Sequence, residues 1–287
     1  MWTFDRFTPF IGCEAALAEA ETVLFGAPFD GTTSYRPGAR FGPAAMRNES
    51  FGIETYSPAL DRDLTDYPIA DLGDLDLPFG NTARVLELIE QQTADLLAAG
   101  KRPVLLGGEH LVTLGALRAM VKQYPDLCIL HFDAHADLRD DYLGESLSHA
   151  TVMRRAYDLT GEGRLYQFGI RSGERAEFQF AAAQTHMEKF TADRVADAVA
   201  AIAGRPVYLT VDLDVLDSTL LPGTGTPEAG GLGFSVLMSA LYTAAGCRIV
   251  GADVVELAPC YDVGGASTMV ACKLLRELLL CLQSPNL

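Results

Sequence analysis

The chain has 287 residues, 49% of them apolar and 9% aromatic, with 27 glycines and 14 prolines. This composition excludes a disordered or collagen-like protein, and the length is enough to bury a sizeable core without disulfides. With 38 acidic against 22 basic residues, a formal net charge of −16 and a sequence pI of about 4.6, phosphate backbones and anionic membranes are excluded as partners and a small cationic molecule is favoured.

Asp5, Arg6 and Glu14 interrupt the N-terminal residues, so the basic-then-apolar layout of a signal peptide is absent. No apolar run reaches the roughly 18 residues that span a bilayer, and a cytoplasmic protein is expected. Short apolar runs then recur at 22–26 (TVLFG), 103–108 (PVLLGG), 127–132 (LCILHF), 164–169 (RLYQFG), 206–211 (PVYLTV) and 248–257 (RIVGADVVEL). Runs that are apolar on both faces predict strands of a parallel sheet covered on both sides. Between them the clearest helix is 81–99, capped by Asn81 or Thr82, lined by Val85, Leu88, Ile89, Leu96 and Leu97, and ended by Gly100. A last helix begins near Ala266 and runs through Leu274, Leu275, Leu278 and Leu282. Strand and helix alternate over the whole length, with no linker, repeat or charge break, which predicts one α/β domain over 1–287.

Six cysteines, at 13, 128, 247, 260, 272 and 281, form no Cys-x-x-Cys pair, and Cys272 and Cys281 fall on opposite sides of the last helix. Free, buried thiols are expected.

Three stretches, 27–43, 133–149 and 212–233, break the alternation, and all follow strand ends. Ligands of open parallel sheets bind outside the carboxyl ends of strands, so a site is expected there. HFDAHAD (131–137) places Asp133, His135 and Asp137 on one face if the chain stays extended. By the same period Asp212 and Asp214 of VDLD project together, and GGEH delivers His110 after a glycine pair expected to turn tightly. Any one of these reads as a turn, cap or core residue. Gathered at three strand ends of one sheet, they would repel one another without a cation. Four carboxylates and two imidazoles without a thiolate favour manganese over a structural zinc, and so many side chains suit two ions sharing carboxylates. Such a pair acidifies a bridging water, so hydrolysis is the expected chemistry.

GGEH (107–110), HFDAHAD (131–137), LTVDLDVLD (209–217), PGTGTPEAGG (222–231) and DVVELAP (253–259) resemble, in order and spacing, the ureohydrolase family of arginases and agmatinases. FGAPFDGTTSYRPGARFGP near the N-terminus is similar to the agmatinase branch, and the likeness runs from about residue 22 to the last helix. The resemblance implies a three-layer α/β/α sandwich with an eight-stranded parallel sheet and a homo-oligomer, trimeric or hexameric. It implies two Mn2+ per subunit, with His110, Asp133, Asp137 and Asp212 on one, and Asp133, His135, Asp212 and Asp214 on the other. It also implies that Asp137 hydrogen-bonds the hydroxide between the metals, that His149 in LSHATV shuttles protons and binds substrate, and that Glu256 holds a guanidinium. A carboxylate matches that planar donor fork. Glu109, where many relatives have Asp, and Ser218, where many have Pro, depart from the pattern without touching a proposed ligand.

The remaining conspicuous residues read as structural. His131 is deeper in its strand, His186 has no evident partner, Asp217 marks a turn, and Arg36 and Arg40 serve structure or assembly. PGTGTPE lacks the Lys of a nucleotide loop and predicts a rigid pocket wall. For the substrate tail, Asp140, Asp141 and Glu145 near the motif favour a cation, while Glu174 is either an amine partner or a helix start. The expected reaction is agmatine to urea and putrescine. The alternatives are arginine or guanidinobutyrate as substrate, an amide deacetylase with one metal, or a relative that keeps its metals without catalysis.

Overall fold

The computed structural model describes residues 8–283. Eight parallel strands form one sheet: β1 (Thr22–Ala27), β2 (Ile69–Asp74), β3 (Arg102–Gly107), β4 (Cys128–Phe132), β5 (Leu165–Ile170), β6 (His186–Lys189), β7 (Pro206–Asp212) and β8 (Arg248–Val255). Their order across the sheet is β2-β1-β3-β8-β7-β4-β5-β6. Eight helices accompany them among the described residues: α1 (Gly42–Glu49), α2 (Thr82–Ala98), α3 (Val112–Gln123), α4 (Val152–Thr160), α5 (Arg175–Gln184), α6 (Val195–Ile202), α7 (Phe234–Ala244) and α8 (Ala266–Leu282).

Strand alternation builds the two cores. Leu24, Leu106, Leu130 and Leu209 face α1, α6, α7 and α8, whereas Val23, Phe25, Leu105 and Ile129 face α2, α3 and α4. The result is the three-layer sandwich that the family resemblance implied. Asn81 caps α2 by accepting the Arg84 N–H at 3.0 Å, and Gly100 ends it in the left-handed region at φ 71°.

The two strands without a sequence run, β2 and β6, are the sheet edges. β6 is short and largely open to solvent. The acids of β2 are consumed by a buried ion pair: Asp71 accepts from Arg47 at 2.8 and 3.0 Å, and Asp74 joins the same guanidinium. The last strand stops at Val255, two residues short of its expected end, because Glu256 turns into the left-handed region.

All six cysteines are free; five are buried, but Cys260 is exposed, contrary to expectation. Cys272 and Cys281 are both covered because α8 is buried nearly all round. Among the described residues, no helix is long and apolar enough to cross a membrane.

Candidate active site

Four strands adjacent in the sheet, β3, β8, β7 and β4, end at one edge and deliver the candidate residues. His110 follows β3, Glu256 follows β8, Asp212 closes β7 with Asp214 just beyond, and Asp133 follows β4. The glycine pair before His110 serves close approach rather than a left-handed turn, since neither glycine has positive φ. A Cβ on Gly108 would lie 1.9 Å from the Phe29 carbonyl oxygen, and one on Gly107 would lie 2.5 Å from Val255. The ends of β1 and β3 therefore run against each other, with the Glu109 N–H donating to the Phe29 carbonyl at 2.8 Å.

The acids and imidazoles converge, though by a different route from an extended chain. β4 ends at Phe132, Asp137 sits at φ 52°, and its carbonyl accepts the N–H groups of Met153 and Arg154, both at 3.0 Å. Asp214 lies in a single helical turn, where its N–H donates to Asp212 Oδ1 at 2.8 Å. Glu256, at φ 66°, is tied through its N–H to the Gly108 carbonyl at 2.8 Å. Left-handed backbone at a non-glycine residue costs about 1–3 kcal/mol, and such strain gathers at working sites.

His110 Nδ1 lies 3.0 Å from Asp133 Oδ2, 3.3 Å from Asp137 Oδ2 and 3.3 Å from Asp212 Oδ2. It nevertheless makes no hydrogen bond. The opposite nitrogen explains why: Nε2 donates to Thr210 Oγ1 at 2.9 Å, because the Thr210 hydroxyl already donates to Asp253 at 2.5 Å. Tyr208 donates to the other Asp253 oxygen at 2.8 Å. The network assigns the proton to Nε2 and leaves the Nδ1 lone pair facing three carboxylates. Nearby, His135 Nδ1 is 2.9 Å from Asp214 Oδ2 and 3.5 Å from Asp133 Oδ1. Donor atoms about 2.1 Å from a shared ion sit roughly 3.0–3.4 Å apart, and the contacts of His110 and His135 fall near that spacing. Asp133, His135 and Asp214 bring their ligand atoms close enough together to hold an ion, as do His110, His131 and Asp133, and Asp133 is common to both groups.

Charge agrees with geometry. Burial, and then the charge of Asp133, push Asp137 up to about 7. Burial and the charges of Asp214 and Asp133 hold Asp212 well above the usual carboxylate range. Burial and Glu109 do the same for Glu256. Burial works against charge at His110 and His135 as well, yet the surrounding carboxylates outweigh it and favour positive charge on both, so at His110 Nδ1 a cation or a proton would answer the same three carboxylates. Carboxyls crowded in this way favour a cation among them.

His131, whose ring lies beside that of His110, supports Asp133. It donates from Nε2 to Asp133 Oδ2 at 2.8 Å and accepts at Nδ1 from Gln167 at 3.1 Å, so both nitrogens are engaged. His149 is half-buried at the mouth, with Nε2 3.1 Å from Ser34 Oγ, its N–H donating to Thr32 Oγ1 at 3.0 Å, and Tyr142 edge-on at 6.0 Å. Burial lowers its pKa to about 4, so the ring is neutral at neutral pH.

His110, His135, Asp137, Asp212, His149 and Ser34 line a cavity of about 220 Å³ that also reaches Glu256, Thr226 and Glu174. Asp140, Asp141 and Glu145 do not line it. Asp140 is paired with Arg155 at 2.7 Å and Asp141 caps the Gly144 N–H at 2.9 Å. Glu174 is the helix start, its N–H donating to Glu177 at 2.6 Å as α5 begins, and its carboxylate accepts from Arg139 at 2.6 Å on the cavity wall. Asp217 is the turn residue expected, accepting from Thr219, Gly230 and Gly231. Arg40 is bound to buried Asp30, His186 stacks on Tyr166 at 4.5 Å, and Thr226 of the rigid loop reaches Asp214 at 3.3 Å. Sequence reasoning missed Thr32, Ser34, Gln167, Thr210 and Asp253. Only Asp253 carried a signal, as a lone acid inside an apolar strand.

The fold and the cluster define an α/β protein with a candidate metal centre at the carboxyl edge of a parallel sheet. The arginase family model matches residues 20–281. The agmatinase of Bacillus subtilis (strain 168) is 48% identical over 275 residues, covering 94% of this chain and 95% of that protein. The N(1)-aminopropylagmatine ureohydrolase of Thermococcus kodakarensis is 38% identical over 264 residues, covering 90% and 89%. Among solved structures, the agmatine ureohydrolase of Thermoplasma volcanium superposes with a TM-score of 0.89 at 33% identity, covering 99% of this chain and 96% of that one. The chain belongs to the arginase family.

Proposed function

We propose that this ureohydrolase hydrolyses agmatine to putrescine and urea, using two divalent ions of which manganese is the expected one. The observation that carries the reading is the His110 lone pair facing three carboxylates, beside a Glu256 carboxylate that opens on the same cavity. The relatives named for agmatine and for aminopropylagmatine, both guanidines with cationic tails, support it.

His110, Asp133, Asp137 and Asp212 would hold one ion, and Asp133, His135, Asp212 and Asp214 the other. Bound there, the pair supplies water acidic enough to attack a guanidinium carbon, and positive charge to stabilise the tetrahedral carbon that results. Glu256 binds the guanidinium and sets its plane. Asp137, beside the reacting centre, orients the attacking oxygen by a hydrogen bond. His149, neutral and aimed by Ser34, takes up a proton that the attacking water loses and passes it on to the leaving nitrogen, which returns the ring to its neutral form. At the mouth the Glu174 carboxylate draws the ammonium of the tail, and Arg139, which it must share, sets the tail's position. The working enzyme is one catalytic unit per chain and a homo-oligomer, trimer or hexamer.

Urea release from a panel of agmatine, arginine and guanidinobutyrate tests the substrate, and the number of ions bound separates this reading from a one-metal deacetylase. Absence of urea from every guanidine would leave a non-catalytic relative.

A further inference from the structure

We propose that Glu109 is a positioning residue for His149, acting through Thr32. The proposal rests on the reading of His149 as the proton carrier. Glu109 is fully buried, and both of its oxygens are spent on the loop after β1. Oε1 accepts the Thr32 hydroxyl at 2.6 Å, while Oε2 accepts the Thr32 N–H at 2.8 Å and the Thr33 hydroxyl at 3.2 Å. One carboxylate thus grips one threonine by its backbone and its side chain, which fixes the direction of that hydroxyl.

The direction matters for what lies on its other side. Because the Thr32 hydroxyl donates its hydrogen to Glu109, its lone pairs face outward, and one accepts the His149 N–H at 3.0 Å. Two residues further on, Ser34 Oγ meets His149 Nε2 at 3.1 Å. The backbone and the ring of His149 are therefore both set by a short loop that Glu109 grips from the turn that also carries His110. No cationic side chain pairs with Glu109 among its hydrogen bonds; its partners are an N–H and two hydroxyls. Burying a carboxylate against neutral donors alone is costly, and a neutral side chain would fill the space. A hydroxyl whose hydrogen is committed to one partner presents its lone pairs to the other, so Glu109 aims the contact to His149.

The test compares metal-loaded wild type with Glu109→Gln, Thr32→Val, Thr32→Ser and the Glu109→Gln/Thr32→Val pair. It measures kcat and KM for urea release from agmatine, bound metal, and the ring 15N resonances of His149 in histidine-labelled protein. General acid–base catalysis contributes about 10²–10⁴-fold, so a misaimed His149 should lower kcat about tenfold or more in Glu109→Gln and Thr32→Val while KM stays within about twofold. Metal content should not change, Thr32→Ser should match wild type, and the pair should be no slower than either single variant. Both slow variants should shift the His149 resonances. The proposal fails if Thr32→Val leaves kcat and the resonances unchanged, if Thr32→Ser is as slow as Thr32→Val, or if Glu109→Gln loses metal in step with activity. Wild type releasing no urea from agmatine would sink the proposed reaction instead, and the His149 resonances would still decide whether Glu109 aims the ring.

Discussion

Glu256 Oε1 accepts the His110 N–H at 2.7 Å, which ties the carboxylate assigned to the guanidinium to the residue assigned to the first metal. The two come from β8 and β3, which are hydrogen-bonded neighbours in the sheet. A substrate group held by Glu256 is thereby placed against the metal cluster by backbone, and not by a mobile side chain alone.

Replacing Glu256 by Gln should lower kcat/KM for agmatine by about one to two orders of magnitude, the worth of a hydrogen bond between charged partners, with bound metal unchanged. Steady-state kinetics with a metal assay on the same preparation checks it. Loss of metal in step with activity would move Glu256 from the substrate to the metal.

Stripping the protein with a chelator should abolish urea release and lower the melting temperature. An ion that binds only the folded chain stabilises it by about 2.7 kcal/mol at a hundred times its dissociation constant. Returning manganese should restore both quantities, and Asp133→Asn, which removes the carboxylate proposed to be shared, should prevent that recovery.

His149 makes a pH-dependent contribution of known sign. Its folded pKa, about 4, lies below the ordinary histidine value of roughly 6.5, so the unfolded chain takes up the proton first as pH falls. The stability that neutral His149 contributes is complete above about pH 6.5 and is lost as pH falls through 4. Denaturant unfolding of the metal-free protein over that window should show a shallower loss for His149→Asn than for wild type. Parallel curves would contradict a buried neutral ring.

Gly108→Ala should destabilise the protein by about 1–3 kcal/mol or more, as overpacking does, because its Cβ would collide with the Phe29 carbonyl. The strand end that carries His110 must move to relieve the clash. Melting temperature and metal affinity should therefore fall together.

Much of this was legible in the sequence because buried parallel strands announce themselves as unbroken apolar runs, and six of the eight strands do so. β2 and β6 stayed silent for the opposite reason: edges tolerate Asp71, Asp74 or the exposed HMEK stretch, which carry no apolar run. Asp133, His135, Asp137, Asp212 and Asp214 were visible as ligand types at strand ends, but period-two reasoning misdescribed their backbone. Asp137 and Glu256 reach the site through left-handed conformations that no side-chain pattern encodes. Nor can spacing reveal Thr32 and Ser34 beside His149, since the contacts join residues 117 and 115 positions apart. The acidic connection favoured a cationic tail for a reason that geometry removes, because Asp140 and Asp141 face Arg155 and the loop backbone, and Glu174 alone of those acids reaches the cavity.

The most direct measurement is urea release by the purified, manganese-loaded protein from agmatine, arginine and guanidinobutyrate, each at matched concentration. The account predicts urea and putrescine from agmatine at a rate well above that of the other two. Turnover of arginine or guanidinobutyrate with none of agmatine would contradict it.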